Sequence, residues 1–476
     1  MHAFLNGNLR SGSAQVLVLV VVSVLIFMPP ILTGYNEARQ ADDAYLELDY
    51  LRATELYEHA AGLLPWRPDL WNMAGITSFR TKNYQDAIRL LTTAKRHEAL
   101  TDVSWDVLGI SHFQLGNIDK AAEAWKSGLI RFPNYSKYYS HLIHVYRERG
   151  DIPAERDALE MWSASEGEND AAAHYRLGVI LTVDNPNRAL GEFLLATSLS
   201  PEYDPVVETM RTTINLASLE ADESRRLIII GRGLGLIDEW QFAEEAFRQA
   251  IDADGNNAEA WAWLGEAAQQ LGQNGRKELD RALKLGRTNP VVRSLRGLRW
   301  ARQGKYSQAL AEYLLAAEYD PENPVWQYQI GEMYAQLGDL PPALARYQRA
   351  TEIAPEDATT WRLLASFCAQ NGVQVKEVGL PAAQMAVELT GEDPLVLDTL
   401  GWILTILERN DEARDVLEHA LSLDPNLAQA YLHLAIVCIQ TEDWQTALEH
   451  LRTVRELDGD GPFGQQAQIL LSRFFP

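Results

Sequence analysis

Histidine is the residue type in this sequence best suited to bind a metal or move protons, and four histidines fall in successive segments. His141 and His144 are three residues apart, so a helix would present both on one face, where i and i+3 side chains can share a metal ion. His112 and His174 precede and follow them at positions that other segments fill with large packing residues. We therefore interpret the outer two as core substitutes and predict no metal site.

Other motifs that carry chemistry are missing from the sequence. It contains no Walker-type loop, HExxH, GxSxG or CxxC. The glycine-rich run Gly231–Gly235 follows no predicted strand, so it does not indicate a phosphate loop. Neighbouring acids such as Glu244 and Glu245 point in different directions on a helix, unlike the facing carboxyls of a glycosidase. We predict no enzyme activity and no cofactor.

The composition narrows the class of partner. The 476 residues include 42 Lys and Arg against 66 Asp and Glu, a net charge of −24. A general nucleic-acid binder needs a basic face, so this balance predicts no nucleic-acid partner. A hydrophobic fraction of 47% with 13 Trp excludes wholesale disorder. The two cysteines, Cys368 and Cys438, exclude a disulfide scaffold, and we predict that both are buried and unpaired.

The elements that would position functional side chains follow from a repeat of about 34 residues. A small residue recurs at this step, at Gly75, Gly109, Gly178, Gly231, Gly265, Gly297, Gly331, Ala365, Gly401 and Ala435. Tryptophan stands four positions before it in several units, alanine twelve and nineteen positions after it, and proline closes several units. Small residues let two helices approach closely and proline ends the second, so the pattern predicts one helix pair per unit, stacked on its neighbours.

This pattern resembles the tetratricopeptide repeat (TPR) family, whose consensus has the same period and the same order of Trp, Gly, Tyr, Ala, Phe and Pro positions. The resemblance runs from about residue 42 to about residue 460. It implies an all-α fold, a TPR α-solenoid in which antiparallel helix pairs form a right-handed superhelix. It also implies a concave groove lined by the first helix of each pair. We expect a membrane-anchored, bacterial-type member.

The N-terminal segment predicts one transmembrane helix ahead of the repeats. Ala14–Leu32 holds 19 residues with only Gln15 and Ser23 as polar interruptions, and as a helix it would span about 28 Å. We assign residues 1–13 to a short head and residues 14–33 to a signal anchor. A cleaved signal peptide and a buried soluble helix are the alternatives. Pro29 and Pro30 are predicted to kink or end the helix.

Charge on the two sides of this segment predicts its orientation. The head carries Arg10 and no acid, whereas Glu37, Asp42 and Asp43 follow soon after the segment. The positive-inside rule therefore favours a single-pass protein with a cytoplasmic N-terminus and extracytoplasmic repeats.

The spacing of the repeats indicates two sub-arrays. The step from Gly178 to Gly231 is 19 residues longer than a standard unit, which predicts an extra helix or bend at residues 204–223. We assign an N-terminal sub-array to residues 35–203 and a C-terminal sub-array to residues 224–460. Residues 461–476 are predicted to form a capping helix. Within the third unit, Glu155 stands where alanine is usual.

The TPR resemblance implies where a partner would bind, at positions one, five and eight after the Trp position. We predict groove residues Asn72, Ile76, Phe79, Asp106, Ile110, Phe113, His144, Arg147, Tyr328, Glu332, Arg362 and Trp402, with Ser140 and Asp398 at equivalent places. The alternative is that these side chains pack on the next repeat or on a cap. Asn72 and Asp106 do not supply the positive charge of a carboxylate clamp, so we expect no chaperone-tail clamp.

The resulting functional hypothesis is a membrane-anchored TPR scaffold that mediates protein–protein interaction or complex assembly, with a protein or peptide partner in its groove. The alternative is an accessory subunit for envelope polysaccharide assembly or export, with a groove that binds glycan or a synthase. An enzyme of an unfamiliar kind is the third alternative, and it would require turnover without any partner.

Overall fold

A computed structural model of the chain describes residues 5–164 and 169–475. In these residues all regular secondary structure is helical: 26 α-helices, a short 3₁₀ turn at Pro201–Tyr203 and a π-helical turn at Val375–Gly379. The chain divides into two compact units, unit 1 at Met1–Ile214 and unit 2 at Asn215–Pro476. The all-α prediction is confirmed.

Unit 1 is a series of helix pairs in chain order. Its helices are α1 (Leu5–Leu46), α2 (Tyr50–Leu63), α3 (Asp69–Arg80), α4 (Tyr84–Arg96), α5 (Asp102–Gln114), α6 (Ile118–Arg131), α7 (Lys137–Arg149), α8 (Ile152–Ser163), α9 (Ala171–Leu181) and α10 (Pro186–Leu199). A single helix, α11 (Asp204–Ser218), follows and contains the boundary between the units. It lies within the segment for which the sequence predicts an extra helix.

Unit 2 continues the same alternation. Its helices are α12 (Glu223–Leu236), α13 (Trp240–Ala253), α14 (Ala258–Gln270), α15 (Arg276–Leu285), α16 (Pro290–Arg302), α17 (Tyr306–Tyr319), α18 (Pro324–Gln336), α19 (Leu340–Ile353), α20 (Ala358–Asn371), α21 (Leu380–Thr390), α22 (Pro394–Ile406), α23 (Asn410–Leu423), α24 (Ala428–Gln440), α25 (Trp444–Asp458) and α26 (Pro462–Phe474). The last, α26, packs on α24 and α25, where Ala467 shares a buried cluster with Leu432 and Leu451.

Close approach within a pair depends on the small residue of the first helix. A Cβ built at Gly75 would lie 2.5 Å from Leu91 Cγ, and one built at Gly401 would lie 2.5 Å from Leu417 Cγ. At Gly109 it would overlap the Trp125 ring. In each case the bulky partner is on the second helix, sixteen residues later. These contacts confirm the interpretation of the recurring glycine as the point where the two helices meet.

The turn inside a pair requires a left-handed backbone. Gly116, Gly304 and Gly338, which lie between the two helices of a pair, have φ values of 74°, 68° and 82°. Glycine adopts this region without the steric penalty of a Cβ, which is why it commonly follows the end of a helix. Other pairs place a non-glycine residue there, such as Lys82 at φ 62°.

The first helix differs from the sequence-based prediction. The prolines are predicted to kink or end the helix, and α1 continues through Pro29 and Pro30, so they do not end it. The Thr33 hydroxyl donates to the Pro29 carbonyl at 3.0 Å, and the last turns pack on α2 through Ala38, Ala41 and Ala44. This packing holds the residues beyond the prolines in helical form even though proline removes backbone hydrogen bonds.

The membrane prediction for residues 14–33 gains no support from the structure. Among the residues that it describes, no helix has both the length and the apolar character needed to cross a bilayer. The side chains of residues 1–15, 18, 23–25 and 27 lie outside the described part of the chain, as do residues 1–4 of the predicted head.

Both cysteines are buried and free. Burial raises the pKa of the Cys368 thiol to about 11, which keeps it protonated and unreactive at neutral pH. This agrees with their predicted place in the core.

Candidate binding surface

The predicted N-terminal strip lies on the first helices α3 and α5. Its four apolar residues are all half-buried: Ile76, Phe79, Ile110 and Phe113. The two polar residues are more deeply placed, since Asn72 and Asp106 are each only 5% exposed. The Oδ1 atom of Asn72 has no hydrogen-bond partner in the described part of the chain, which is unusual for a buried amide.

The structure brings several of these residues together with α7. Phe113 and His144 have ring centroids 6.0 Å apart, so two predicted groove residues from neighbouring repeats meet. His144 is 59% exposed and lies 3.4 Å from Glu148, whereas Phe113 also contacts Trp125 at 6.3 Å between centroids. The apolar strip therefore continues from α5 to an exposed imidazole on α7.

Beneath this contact is a polar pair that the sequence analysis did not place. His141 Nε2 lies 3.1 Å from Asp106 Oδ1, and the His141 ring stacks on Trp125 with centroids 4.7 Å apart. The Tyr135 hydroxyl donates to Asp106 Oδ2 at 3.4 Å. We call the set Asp106, Phe113, Trp125, His141 and His144 the α5–α7 junction.

The buried carboxylate also affects its phenol neighbours. Burial, and then the nearby negative charge of Asp106, raises the pKa of Tyr135 to about 12. Tyr138 is fully buried, and its hydroxyl donates to the Asp102 carbonyl at 2.6 Å. The phenols at this junction therefore act as neutral hydrogen-bond donors at physiological pH.

Arg147, another predicted groove residue, is engaged inside unit 1. Its Nε donates to Glu155 at 2.9 Å, and Arg176 of α9 binds the same carboxylate at 2.8 and 3.0 Å. Glu155 is fully buried; burial opposes its ionisation, but the two guanidinium groups hold its pKa below the usual value. The residue that departs from the alanine pattern thus anchors an ion pair across neighbouring repeats.

The predicted residues of unit 2 are mostly used in internal contacts. Glu332 accepts from the Tyr347 hydroxyl at 3.0 Å and from Gln336 at 2.8 Å. Trp402 stacks on His433 of the next first helix, with centroids 4.4 Å apart. Tyr328 is half-buried, and burial raises its pKa. Arg362 forms no ion pair with any described residue.

Unit 2 contains a second buried Asp–His pair. Asp398, 2% exposed, accepts from Gln429 at 2.8 Å and lies 2.7 Å from His433 Nδ1. We call Asp398, Trp402, Gln429 and His433 the α22–α24 junction. In both junctions the Asp and the His are 35 residues apart, on the first helices of two successive repeats. The two pairs occupy the same positions within their repeats. That spacing is a signal that the sequence analysis missed.

The described residues of these junctions do not form a metal centre. In the described ranges, no cluster of three or more His, Cys, Asp or Glu side chains could hold a metal ion. The histidines instead pair with a carboxylate or stack on an aromatic ring. The chemistry available at the surface is apolar contact, ring stacking and hydrogen bonding.

Repeated helix pairs of this length, with small residues at the contact within a pair, define an α-solenoid repeat protein. Family models described as tetratricopeptide repeat match residues 107–169, 239–290, 301–367 and 404–470, together more than half of the chain. The chain belongs to the tetratricopeptide repeat family. TPR proteins bind protein or peptide partners and are typically non-catalytic, so this membership indicates a protein–protein interaction scaffold.

The chain is also similar, at low sequence identity, to several solved structures. Yeast Tom70 is 19% identical, with 86% of this chain and 96% of that chain covered and a TM-score of 0.43. In the APC/C hetero-tetramer Cut9–Hcn1 the identity is 13%, the coverage 95% and 99%, and the TM-score 0.41. MamA from Desulfovibrio magneticus RS-1 is 23% identical, with 36% of this chain and 97% of that chain covered and a TM-score of 0.32. No curated protein matches the chain.

Proposed function

We propose that unit 1 binds a protein or peptide partner through the half-buried apolar strip of α3 and α5 and the exposed His144 of α7. The observation that supports this most directly is the contact of Phe113 with His144 across two repeats. Apolar side chains that stay partly exposed in successive repeats offer a continuous surface of the kind that marks recognition sites.

Family membership supports a protein or peptide as the occupant, since TPR proteins bind such partners. In this proposal the surface positions a partner and performs no chemical step.

The test is a cross-linked pull-down with the full-length protein. The strip variant changes Ile76, Phe79, Ile110 and Phe113 to Ser, and we expect at least tenfold less of any specifically captured partner. The control changes Leu194 and Leu195 of α10 to Ser, since these are 48% and 46% exposed and lie outside the strip. Thermal unfolding of each variant establishes that it is folded.

A second variant keeps the test decisive if the strip variant unfolds. His144→Glu changes a 59% exposed side chain and should leave the fold intact while it places a carboxylate beside Phe113. Capture that is unchanged in this variant and in a folded strip variant contradicts the proposal. Glycan retained by the repeats alone, without a protein partner, would favour the polysaccharide hypothesis instead.

We further propose that residues 14–33 attach the chain to a membrane, with the N-terminus in the cytoplasm. The proposal rests on the sequence of this segment and on its apolar side chains that the structure describes, among them Leu19 and Ile26, which are 69% and 58% exposed. Exposed large apolar side chains on one helix require a nonpolar environment to be favourable.

Carbonate extraction of membranes tests this attachment. The native chain should stay with the membranes, whereas Leu19→Lys with Val22→Lys should release it, because each lysine at a helix centre costs about 2.5–3.5 kcal/mol of insertion free energy. Both positions are exposed and precede the buried part of α1, so the repeats should stay folded. Release of the unchanged chain would contradict the proposal.

A further inference from the structure

The charge of α15, α16 and the turns beside them is opposite to that of the whole chain. Residues 276–305 contain ten Lys or Arg and two acidic residues, whereas the full sequence has 42 basic and 66 acidic residues. A local excess of this size is hidden by the net charge of −24.

Ion pairs account for only part of this positive charge. Asp280 binds Arg276 at 3.4 Å and Arg296 at 2.9 Å. Burial opposes ionisation of Asp280, but these two arginines hold its pKa below the usual value. Outside residues 276–305, Glu312 binds Arg293 and Arg296, and Glu266 binds Arg302.

Six cations then remain without a carboxylate partner among the residues that the structure describes. We call them the basic surface: Lys277, Arg281, Lys284, Arg287, Arg299 and Lys305. Five of the six are exposed, and Arg299 is half-buried.

The arrangement on α15 forms one charged stripe. Lys277, Arg281 and Lys284 recur at i, i+4 and i+7, which is one face of a helix, while Leu279 and Ala282 are buried. At 1.5 Å per residue the stripe is about 10 Å long, and Arg287 follows two residues after the helix ends.

One end of the stripe is unfavourable for the helix that carries it. Lys277 is in the first turn, where the helix dipole favours acids and disfavours cations, whereas Lys284 is in the last turn, where a cation is favoured. Like charges at i and i+4, such as Lys277 and Arg281, repel and cost about 0.2–0.5 kcal/mol. The unfavourable position of Lys277 is better explained by an anionic partner than by folding.

Beside the stripe is an aromatic ring held between cations. Lys305 Nζ lies 4.7 Å from the centroid of the Trp300 ring, and the Arg299 guanidinium carbon lies 5.3 Å from it. Arg299 also donates to the Asn274 side chain at 3.0 Å, which links α16 to the turn before α15. A cleft lies between the two helices and is lined by Arg276, Arg296, Arg299 and Trp300.

We propose that the basic surface binds an acidic segment of a partner protein, with its carboxylates on the α15 stripe and an apolar side chain against Trp300. A short peptide suits the length of the stripe. A long polyanion such as nucleic acid, or an anionic bilayer, would extend beyond it and meet the repulsion of a chain with net charge −24. This surface lies on unit 2, so it is independent of the proposed strip on unit 1.

Fluorescence anisotropy with a labelled deca-glutamate peptide tests the proposal on the full-length protein. Binding should weaken with rising salt because it is largely electrostatic. In the variant K277E/R281E/K284E we expect at least tenfold weaker binding at 50 mM salt. The control K82E/K120E/R452E makes the same change in net charge at three exposed cations elsewhere, and it should bind the peptide within about twofold of the native protein.

Circular dichroism establishes that both variants keep their helices, as expected for exposed positions. Absence of peptide binding to the native protein overturns the proposal, as does an equal loss in both variants. Tighter binding of a single-stranded oligonucleotide or of phosphatidylserine vesicles through the same three residues also overturns it, since the occupant would then be a different polyanion.

Discussion

The α5–α7 junction of unit 1 and the α22–α24 junction of unit 2 each place an Asp and a His in the same register, but the two aspartates are hydrogen-bonded differently. Asp398 receives two short contacts, at 2.7 Å from His433 and 2.8 Å from Gln429. Asp106 receives longer ones, at 3.1 Å from His141 and 3.4 Å from Tyr135. The contacts of Asp398 close the interface between two repeats. The longer contacts of Asp106 leave part of its hydrogen-bonding capacity unused beside the half-buried apolar strip.

The aromatic partners differ in the same sense. His433 stacks on Trp402 of the preceding first helix, so the predicted groove tryptophan is taken up by the next repeat. His141 stacks on Trp125 of a second helix, and Phe113 is left beside the exposed His144. Trp402 and His144 stand at the same position of their repeats. This position packs against the next repeat in unit 2 and stays exposed in unit 1.

Removal of the aspartate should separate the two junctions most clearly. For Asp398→Ala we expect a loss of about 3 kcal/mol of local stability, because the half-buried Gln429 and His433 both lose a charged acceptor. For Asp106→Ala, with longer contacts, we expect about 1 kcal/mol. Amide hydrogen exchange in α22 and α24, compared with α5 and α7, measures both. Equal losses would remove the distinction between the junctions.

Buried carboxylates elsewhere in the two units should show a similar but smaller difference. Glu155→Ala restores the usual alanine, yet it removes the buried carboxylate that Arg147 and Arg176 share, and we expect about 2–3 kcal/mol of destabilisation. Glu266→Ala removes the partner of Arg302, which is 38% exposed, and of the Gln270 side-chain amide, and about 1 kcal/mol is expected. Urea unfolding monitored by amide hydrogen exchange measures the destabilisation in each of the two variants. A stabilised Glu155→Ala protein would contradict the role given to the ion pair.

The contact between the two helices of a pair should tolerate an added methyl group less well at Gly109 in unit 1 than at Gly331 in unit 2. A Cβ at Gly331 would lie 3.0 Å from the Tyr347 ring, whereas one at Gly109 would overlap Trp125. Alanine gains about 1 kcal/mol in helix propensity at both sites. We expect Gly331→Ala to be near neutral and Gly109→Ala to lose about 1–2 kcal/mol, measured by urea denaturation. Similar values for both would argue against the close approach.

The smallest expected effect is that the stability contributed by Glu155, in unit 1, depends on pH. Because the folded pKa of Glu155 is lowered from its ordinary value of 4.5, the unfolded state takes up the proton first as the pH falls. The stabilisation is therefore complete above about pH 5 and lost as the pH falls through the folded pKa. The difference in unfolding midpoint between the native protein and Glu155→Gln should shrink below pH 4.5. A difference that stays constant to pH 3 would contradict this.

The candidate surface was only partly predictable from the sequence. The TPR register placed Phe113 and His144 in neighbouring repeats, and the structure brings them together. It also placed Glu332 and Trp402 in a groove, where contacts with Tyr347 and His433 now occupy them. Register gives the helix face of a residue, but the partner of a long side chain depends on its rotamer and on the neighbouring repeat.

The sequence by itself determined the helix pairs, because a 34-residue period and a recurring small residue are local properties that each unit repeats. It determined the contact of Gly109 with the second helix and the burial of Cys368 for the same reason. Only the tertiary structure decided that α1 continues through Pro29 and Pro30, that Glu155 holds two arginines, and that six cations near α15 have no carboxylate partner among the described residues. Each of these depends on contacts between residues distant in the chain, which periodicity does not encode.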